Sequence, residues 1–207
     1  MNPSTHNVSG SKPPGDQMTD LVIQARDGNR PAFEQLIDRY QGEIFRMIYY
    51  RIRARMDTED LTQYVFVRAY RNISRIREPH KFRSWLFTIA VNRVNDYLRK
   101  KKVRSIFKSS DEGTEVQPAA TDFQDSPEAL EQVLKEDFWR HIGRVAKKLS
   151  RMEREVFMLR FLDNLNINEI ARTLKKSEST VKTHLYRALA KFKKEKGLRQ
   201  FLQEDLT

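Results

Sequence analysis

The segment from Phe82 to Arg104, FRSWLFTIAVNRVNDYLRKKKVR, concentrates side chains that could bind the phosphates and bases of a nucleic acid. At 3.6 residues per turn its apolar side chains gather on one side of a helix; they are Trp85, Leu86, Ile89, Ala90, Tyr97 and Leu98. The other side and the C-terminal end carry Arg83, Arg93, Arg99, Lys100, Lys101, Lys102 and Arg104. Such cations complement the helix dipole and suit a phosphate chain. Taken alone, the pattern fits an amphipathic core helix with a solvated charged face equally well.

A second candidate surface lies near the C-terminus, where Ser177 can cap a long amphipathic helix. With Val181, Leu185 and Leu189 facing inward, the outer face of its first turns carries Ser179, Thr180, Lys182, Thr183, Tyr186 and Arg187. In a major groove, Arg187 could contact guanine in bidentate fashion and Thr183 could touch a base edge or a thymine methyl. We interpret four lysines as phosphate contacts: Lys182, Lys191, Lys193 and Lys194. His184 flanks this surface.

Catalytic and metal-binding patterns are not recognisable in the sequence. The four histidines, His6, His80, His141 and His184, are scattered, and no H-E-x-x-H motif, Walker glycine loop or Ser/His/Asp arrangement stands out. Asp57 and Asp60 lie one helical turn apart without a nearby histidine, which favours a solvated or partner-contact face over a metal site. Cysteine is absent, which excludes disulfides and thiolate metal sites. We therefore predict a binding protein that is not an enzyme and that has neither cofactor nor metal.

Charge and composition point to the class of partner. The chain has 39 basic and 28 acidic side chains and a formal net charge of +11, which favours a phosphate-rich partner such as nucleic acid. On charge alone, a basic membrane-surface protein is the alternative. The sequence has no apolar run long enough to span a bilayer and no apolar signal-peptide core near its start. We expect a cytoplasmic protein without membrane insertion.

The elements that must position these surfaces are helices, because helix formers dominate and strand-like alternation is not sustained. Residues 1–17 are rich in Ser, Asn, Gly and Pro and predict a disordered leader. A short helix from Asp20 that ends at Gly28, a long helix from Pro31 to about Arg53, a helix starting at Asp57 and the segment from Phe82 then predict a four-helix bundle over residues 18–104.

Residues 105–127 differ in character from the segments on either side. Acidic side chains outnumber basic ones by five to one in this segment, where Lys108 is the only basic residue, and Gly113, Pro118 and Pro127 break any helix. This composition predicts a flexible acidic linker between two basic modules. A solvating spacer is the favoured interpretation, and imitation of a nucleic-acid strand inside a cationic channel is the alternative.

The second module spans residues 128–207. After a helix from Leu130 to Ile142, Ser150 with Glu153 and Asn166 with Glu169 have the spacing of capping boxes. The last two helices are joined only by Lys175 and Lys176, which predicts a helix-turn-helix, with an ordinary helical hairpin as the alternative. In the first module, Phe82, Trp85 and Tyr97 beside arginines suit unpaired bases, although burial is the favoured interpretation for Trp85. Together these features predict a protein that binds a promoter and helps to open it.

Three motifs in register carry a resemblance to a known family: DTEDLTQYVFVRAYRNI, then FRSWLFTIAVNRVNDYLRKKK, and far downstream LSRMEREVFMLRFLDNLNINEIARTLKKSESTVKTHLYRALAKFKK. From about Asp20 to Lys194 the chain resembles a bacterial extracytoplasmic-function (ECF, group IV) sigma factor of the sigma-70 family. The resemblance implies an all-α protein of two small helical domains, a region-two bundle and a region-four helix-turn-helix, joined by the linker.

The resemblance also implies partners and roles. The helix from Asp57 to Arg71 would dock on the β′ coiled coil of core RNA polymerase, with Asp57, Asp60, Gln63 and Phe66 on or under the contact. The melted −10 strand would contact Lys81, Arg83, Trp85, Asn92 and Arg93, and the −35 duplex would contact the exposed residues between Ser179 and Arg187. The linker would run towards the active-site cleft and RNA exit path, and the β flap is a second expected contact on polymerase. An anti-sigma factor is a further candidate partner.

Two positions depart from the family pattern. Tyr64 stands where the family usually has an acidic residue, which changes the polar detail of the expected β′ contact. Lys175 and Lys176 occupy a turn where the family tends to have Gly or Asn, which adopt a left-handed backbone easily, so we expect this turn to be either strained or slightly different in shape. The rival interpretations are a helix-turn-helix repressor or activator that binds duplex DNA without polymerase, and a helical nucleic-acid-processing enzyme that would need a metal cluster.

Overall fold

The computed structural model describes residues 14–108 and 148–194. Within these ranges the regular structure is helical, which confirms the all-α prediction. Seven α-helices follow one another: α1 Pro14–Arg26, α2 Arg30–Ile52, α3 Arg55–Asn72, α4 Phe82–Lys108, α5 Arg151–Phe161, α6 Ile167–Leu174 and α7 Glu178–Lys193. Two short 3-10 turns, Ile73–Arg75 and Pro79–Lys81, connect α3 to α4. The helix predicted from Leu130 to Ile142, most of the linker and residues 1–13 of the leader lie outside the described residues.

The end of α1 and the start of α2 are fixed by local hydrogen bonds. Gly28 has φ +99, and its N–H donates to Ala25 while that of Asn29 donates to Gln24, at 3.2 and 2.9 Å. This is the Schellman pattern, and it confirms Gly28 as a C-terminal cap. Asn29 then caps α2 by accepting from the N–H of Ala32 at 3.1 Å, and a proline, Pro31, lies in the first turn.

Three helix boundaries differ from the sequence prediction. α1 begins at Pro14, inside the predicted leader, because Met18 and Leu21 give it an apolar face that packs against the core. α3 begins at Arg55 rather than at Asp57, and its N-cap residue makes no side-chain cap. α4 continues to Lys108, four residues beyond the predicted end at Arg104 and into the segment assigned to the linker.

Helices α1–α4 form a first module around a core of large apolar side chains. Its fully buried members are Val22, Leu36, Ile44, Met47, Ile48, Val65, Leu86 and Phe87. Most of them follow the predicted 3.6-residue spacing. On α4, however, Phe87 is buried although it was not predicted to face inward, and Leu98, which was, is 40% exposed. Burial of each such side chain is worth about 1.5–3 kcal/mol relative to leaving it in water.

Helices α5–α7 form a second module, which is built by local signals in the sequence. Both predicted capping boxes are present, with Ser150 N–H donating to Glu153 at 2.8 Å and Asn166 N–H donating to Glu169 at 2.9 Å. Lys175 adopts the left-handed backbone expected for the turn, with φ 53 and ψ 48. The tight connection from α6 to α7 confirms the predicted helix-turn-helix topology.

The two modules pack against each other, which the sequence did not predict. α6 lies along α4. One continuous cluster of buried apolar side chains includes residues of both modules, among them Leu86 and Phe87 of α4 and Ile170 and Ala171 of α6. The protein therefore presents an interface between its modules as well as an outer surface.

Candidate nucleic-acid and polymerase interfaces

The outer face of α7 is open to solvent. Ser179, Lys182, Thr183, Tyr186 and Arg187 are exposed, Thr180 is half-buried, and Tyr186 retains 68% of its surface. Val181 and Leu185 are buried on the opposite face. Ser177 Oγ accepts from the N–H of Thr180 at 3.2 Å, which fixes the start of the helix. The structure thus brings the predicted duplex-reading residues together on one accessible surface.

The cations at the end of α7 divide into two groups. Lys193 and Lys194 are exposed, as a phosphate contact requires. Lys191 instead donates to Glu153 at 2.6 Å and to the carbonyl of Lys148 at 3.2 Å, so its phosphate assignment is replaced by a contact that ties α7 to the start of α5. The hydrogen bond from Lys191 lowers the pKa of Glu153, although burial acts in the other direction.

The residues predicted to hold the −10 strand are spread over α4 and the turn before it. Lys81 pairs with Glu78, Trp85 is half-buried with its ring 5.7 Å from that of Phe82, and Asn92 is exposed. At about 100° per residue, Trp85 and Asn92 share a face of α4, whereas Arg83 faces elsewhere. The structure therefore does not present these five side chains as one surface.

Arg93 makes a contact that depends on the unusual residue Tyr64. Its guanidinium carbon lies 4.3 Å from the centre of the Tyr64 ring, a cation–π geometry. The acidic residue usual in the family would offer a salt bridge in this place, whereas Tyr64 offers an aromatic face. Tyr64 thus joins α3 to α4 through a cation–π contact with Arg93 instead of a salt bridge.

Arg83 is surrounded by acceptors rather than open to a ligand. It donates to Glu43 at 3.1 Å, to both carboxylate oxygens of Glu169 at 3.3 Å, and to the carbonyls of Asp163 and Asn164 at 2.8 and 3.3 Å. Burial lowers the pKa of Arg83, but the charges of Glu43 and Glu169 outweigh it and raise that pKa. The expected free cation is therefore held between the modules.

The four candidate polymerase contacts on α3 occupy three kinds of place. Asp57 accepts a 2.6 Å hydrogen bond from the Tyr97 hydroxyl of α4. Burial and this bond to a carboxylate raise the pKa of Tyr97 to about 12. Asp57 therefore supports the helix from beneath, while Asp60 is exposed. Gln63 and Phe66 line a groove.

The groove lies between α2 and α3 and has a volume of about 600 Å³. Its apolar lining comes from Phe33, Ile37, Phe45, Phe66, Val67 and Tyr70. Val67 and Tyr70 keep 43% and 53% of their surface exposed, so with the rest of the lining they form a contiguous apolar patch at the surface. Neither residue was predicted to belong to a site, although they follow Gln63 at the four- and seven-residue spacing of one helix face.

A buried ion-pair network between the modules was also missed. Arg51 of α2 donates to Glu155 of α5 at 3.0 and 3.1 Å and to Asp163 at 2.8 Å, and Arg51 and Asp163 keep only 4% and 2% of their side-chain surface exposed. Burial lowers the pKa of Arg51, but the two carboxylates outweigh it and raise that pKa. Since 112 residues separate Arg51 from Asp163, no local signal could have revealed this pair.

The described part of the chain has neither a metal-binding cluster nor a membrane-spanning helix. Residues 14–108 and 148–194 contain no group of three or more His, Asp or Glu side chains placed to hold a metal ion. Among their helices, none combines the length and apolar character needed to cross a bilayer.

Comparison with known proteins identifies the family. Models of Sigma-70 region 2 and of Sigma-70, region 4 match residues 36–104 and 141–192. SigW of Bacillus subtilis, an ECF RNA polymerase sigma factor, is 30% identical over 175 residues, which cover 84% of this chain and 94% of SigW. BldN of Streptomyces coelicolor, another ECF RNA polymerase sigma factor, is 35% identical over 178 residues; these cover 84% of this chain and 63% of BldN, so the chain spans less than two thirds of that relative.

Solved structures give the same fold. CnrH in complex with the cytosolic domain of CnrY has a TM-score of 0.63 at 24% identity, covering 92% of this chain and 99% of CnrH. The sigma factor RpoE of Bartonella quintana in complex with the anti-sigma factor NepR has a TM-score of 0.57 at 18% identity, covering 77% of this chain and 92% of RpoE. The chain therefore belongs to the ECF RNA polymerase sigma factors of the sigma-70 family and is a promoter-directing sigma factor.

Proposed function

We propose that this sigma factor binds core RNA polymerase through α3, reads the −35 element as duplex with α7, and captures the melted −10 strand with α4. It acts by binding and has no catalytic step of its own. Residues 18–104 serve as region two, residues 105–127 as the linker and residues 128–207 as region four. The observation that carries the proposal is the exposed polar face of α7 on a helix-turn-helix.

The groove between α2 and α3 supports the polymerase contact. A concave apolar surface beside exposed polar residues such as Asp60 and Gln63 suits a helical partner whose apolar face enters the groove. The β′ coiled coil has this form. The β flap is the second polymerase contact in the proposal, and it would bind the second module.

The face of α7 supports sequence-specific duplex binding. Arg187 and Thr183 are the residues placed to contact base edges, and Lys182 is placed to contact a phosphate. Ser179, Thr180 and Tyr186 complete the surface. Because these side chains are accessible in the structure, this module can meet DNA without rearrangement.

Strand capture by α4 rests on Lys81, Arg83, Trp85, Asn92 and Arg93, of which Asn92 is exposed as the structure stands. Cations beside an aromatic ring suit an unpaired strand, because phosphates pair with the former and bases stack on the latter. Lys81, Arg83, Trp85 and Arg93 are partly covered, so the side chains around them need to move before they can contact DNA.

Two further assignments belong to the proposal. The protein would act in the cytoplasm with its polymerase. An anti-sigma factor is a partner class for this chain, since the RpoE structure with a similar fold contains the anti-sigma factor NepR.

Run-off transcription with purified core polymerase tests the proposed function. Templates carrying a randomised upstream region are transcribed, and sequencing of the transcripts recovers a promoter, called here the selected promoter. Recurrent −35 and −10 sequences that depend on the protein support the proposal. Failure to associate with core polymerase, or a stable footprint on duplex DNA without polymerase and no transcripts, contradicts it and favours a repressor.

A further inference from the structure

We infer that Tyr64 is a positioning residue for strand capture: its ring holds the guanidinium of Arg93 in place without neutralising it, so that Arg93 can bind a phosphate of the unpaired −10 strand. This inference rests on the proposed function for the role of Arg93. Tyr64 lies on α3 beside the candidate polymerase contact Gln63, whereas Arg93 lies on α4. Their contact therefore joins the helix proposed to bind polymerase to the helix proposed to hold DNA.

The Tyr64 ring is the partner of the Arg93 guanidinium within the described residues. The distance of 4.3 Å from the guanidinium carbon to the ring centre is the shortest of the cation–π distances in this part of the chain, where the others are 5.2 to 6.0 Å. No carboxylate or carbonyl of residues 14–108 and 148–194 accepts from this guanidinium, and its Nε is buried without a hydrogen-bond partner. The ring itself lies at the surface, since Tyr64 keeps 42% of its area exposed.

Carboxylates close to this contact in the sequence are engaged by other groups. On α4, Asp96 lies one turn after Arg93 and pairs with Arg99 at 3.1 Å. On α3, Asp57 accepts from the Tyr97 hydroxyl at 2.6 Å. Within the described residues, the charge of Arg93 is therefore not cancelled by an ion pair.

An aromatic ring and a carboxylate hold an arginine with different consequences. A carboxylate forms a salt bridge and occupies the charge and the donors that a phosphate would need. An aromatic face attracts the cation through its quadrupole and carries no net charge. Arg83 illustrates the first case, because Glu43 and Glu169 occupy its guanidinium. Arg93 illustrates the second, so it is fixed in position and keeps its charge.

Fixing an arginine in advance favours binding of a phosphate. A free arginine side chain loses much of its rotamer freedom when it is immobilised by a ligand. In this protein the buried Nε shows that the inner part of the Arg93 side chain is already enclosed before DNA is present. Less freedom is then lost on binding, which is the general benefit of preorganisation. Tyr64 should thus raise the affinity for the strand without touching DNA itself.

A second cation depends on the absence of charge at Tyr64. Arg68 lies one helical turn after Tyr64 on α3 and is exposed. A glutamate four residues before an arginine is a favourable arrangement for an ion pair on a helix. Tyr64→Glu would therefore offset the positive charge of Arg68 as well as that of Arg93. Among substitutions of Tyr64, this one should weaken strand binding most.

Nuclear magnetic resonance of the free protein tests whether the ring holds Arg93. In protein with 15N-labelled arginine, the Nε–H signal of Arg93 is identified by its loss in Arg93→Lys. We expect this signal to be shifted by the ring and protected from exchange in the wild-type protein and in Tyr64→Phe, and to lose both properties in Tyr64→Leu. A wild-type signal like that of a solvated arginine, or a signal that Tyr64→Leu leaves unchanged, overturns the inference.

A double-mutant cycle tests what the contact does for strand binding. Enough core polymerase is added to saturate each variant, and the holoenzyme binds a single-stranded oligonucleotide that carries the −10 element of the selected promoter. Tyr64→Leu should weaken binding about two- to fivefold, the value of an exposed cation–π contact, whereas Tyr64→Phe should not. In an Arg93→Gln background, Tyr64→Leu should have no further effect. Equal effects in the two backgrounds contradict the inference, because Tyr64 would then act independently of Arg93.

The salt dependence of the same binding reports the charge of Arg93. Each phosphate contact to a single strand contributes about 0.7 to the slope of log affinity against log salt. Tyr64→Glu should lower the slope by about this amount, as should Arg93→Gln, whereas the matched neutral control Tyr64→Gln should keep the wild-type slope. Equal slopes for Tyr64→Glu and Tyr64→Gln contradict the inference. Absence of strand binding by the wild-type holoenzyme instead overturns the proposed function, and with it the role of Arg93.

Discussion

The two surfaces assigned to DNA differ in how the protein presents them. The face of α7 is exposed and is shaped by its own module, through the cap at Ser177 and the buried residues Val181 and Leu185. The start of α4 is covered, and Arg83 is held by groups from α2, from α6 and from the loop before α6. The surface proposed for duplex DNA is thus formed within one module, whereas Arg83, which is proposed to hold an unpaired strand, is bound by groups from distant parts of the chain.

The largest expected effect tests whether the module that presents α7 also covers α4. Phe192 stacks on Phe157 with ring centres 4.2 Å apart and is fully buried in a cluster confined to the second module. Phe192→Ala should destabilise that module by about 3–5 kcal/mol, measured by denaturant unfolding. Hydrogen exchange should then show loss of protection at the start of α4 as well as in α7. Protection retained in α4 would mean that the second module does not cover it.

The next effect concerns the exposed surface alone. Arg187→Ala should relax selectivity among −35 variants of the selected promoter by about 1–3 kcal/mol if the arginine contacts a guanine in bidentate fashion. Competition assays with polymerase holoenzyme on a set of −35 variants measure this change. Lys193→Ala is the control, since an exposed phosphate contact should weaken binding uniformly across the set. Unchanged selectivity in Arg187→Ala would refute the assignment.

Arg83→Ala tests the role proposed for the covered surface. Loss of a charge-assisted contact to the strand, worth about 1.5–3 kcal/mol, should slow open-complex formation more than closed-complex binding. Permanganate reactivity of the −10 thymines follows opening. Opening at the wild-type rate would show that Arg83 has no role in strand capture.

The sequence predicted the exposed surface well because its signals are local. Ser177 caps α7, Asn166 and Glu169 cap α6, and Lys175 has the left-handed backbone expected of the turn. Each interaction joins residues within one turn of each other. The covered surface could not be predicted in this way, because the carboxylate partners of Arg83 and Arg51 lie 40 to 112 residues away in the chain. No local pattern selects these partners among the many carboxylates of the sequence.

The groove on α3 is an intermediate case. The periodic spacing of Gln63, Val67 and Tyr70 is readable in the sequence, but their exposure is not, because apolar residues on one face of a helix usually predict burial. Asp57 differs from these residues. The resemblance places it on or under the polymerase contact, and its carboxylate accepts from Tyr97 of the next helix.

A smaller effect separates the stability of the second module from that of the first. Glu153 has a folded pKa below its ordinary value of 4.5, first because Lys191 donates to it. Because the pKa of Glu153 is lower in the folded than in the unfolded protein, its ionised form stabilises the folded state at pH values above the unfolded pKa. This stabilisation is lost as the pH falls through the folded pKa. Below about pH 4.5, the amide hydrogens of α5 and α7 should therefore lose protection against exchange with solvent, and Glu153→Gln should remove part of this pH dependence. An identical acid profile in the variant would mean that other carboxylates control the transition.

The smallest effect concerns the turn that sets α7 at its angle. Lys175 has φ 53, a conformation that costs an L-residue about 1–2 kcal/mol, whereas glycine adopts it freely but loses more entropy on folding. Lys175→Gly should therefore stabilise the protein by roughly 0.5–1 kcal/mol, seen as a higher denaturant midpoint. The exposed neighbour Lys176→Gly removes the same charge without this relief of strain and serves as the control. Because glycine readily adopts this backbone angle, Lys175→Gly should leave the turn and the position of α7 unchanged. Selectivity among −35 variants should therefore not change. A loss of selectivity would indicate that the lysine itself helps α7 to meet DNA.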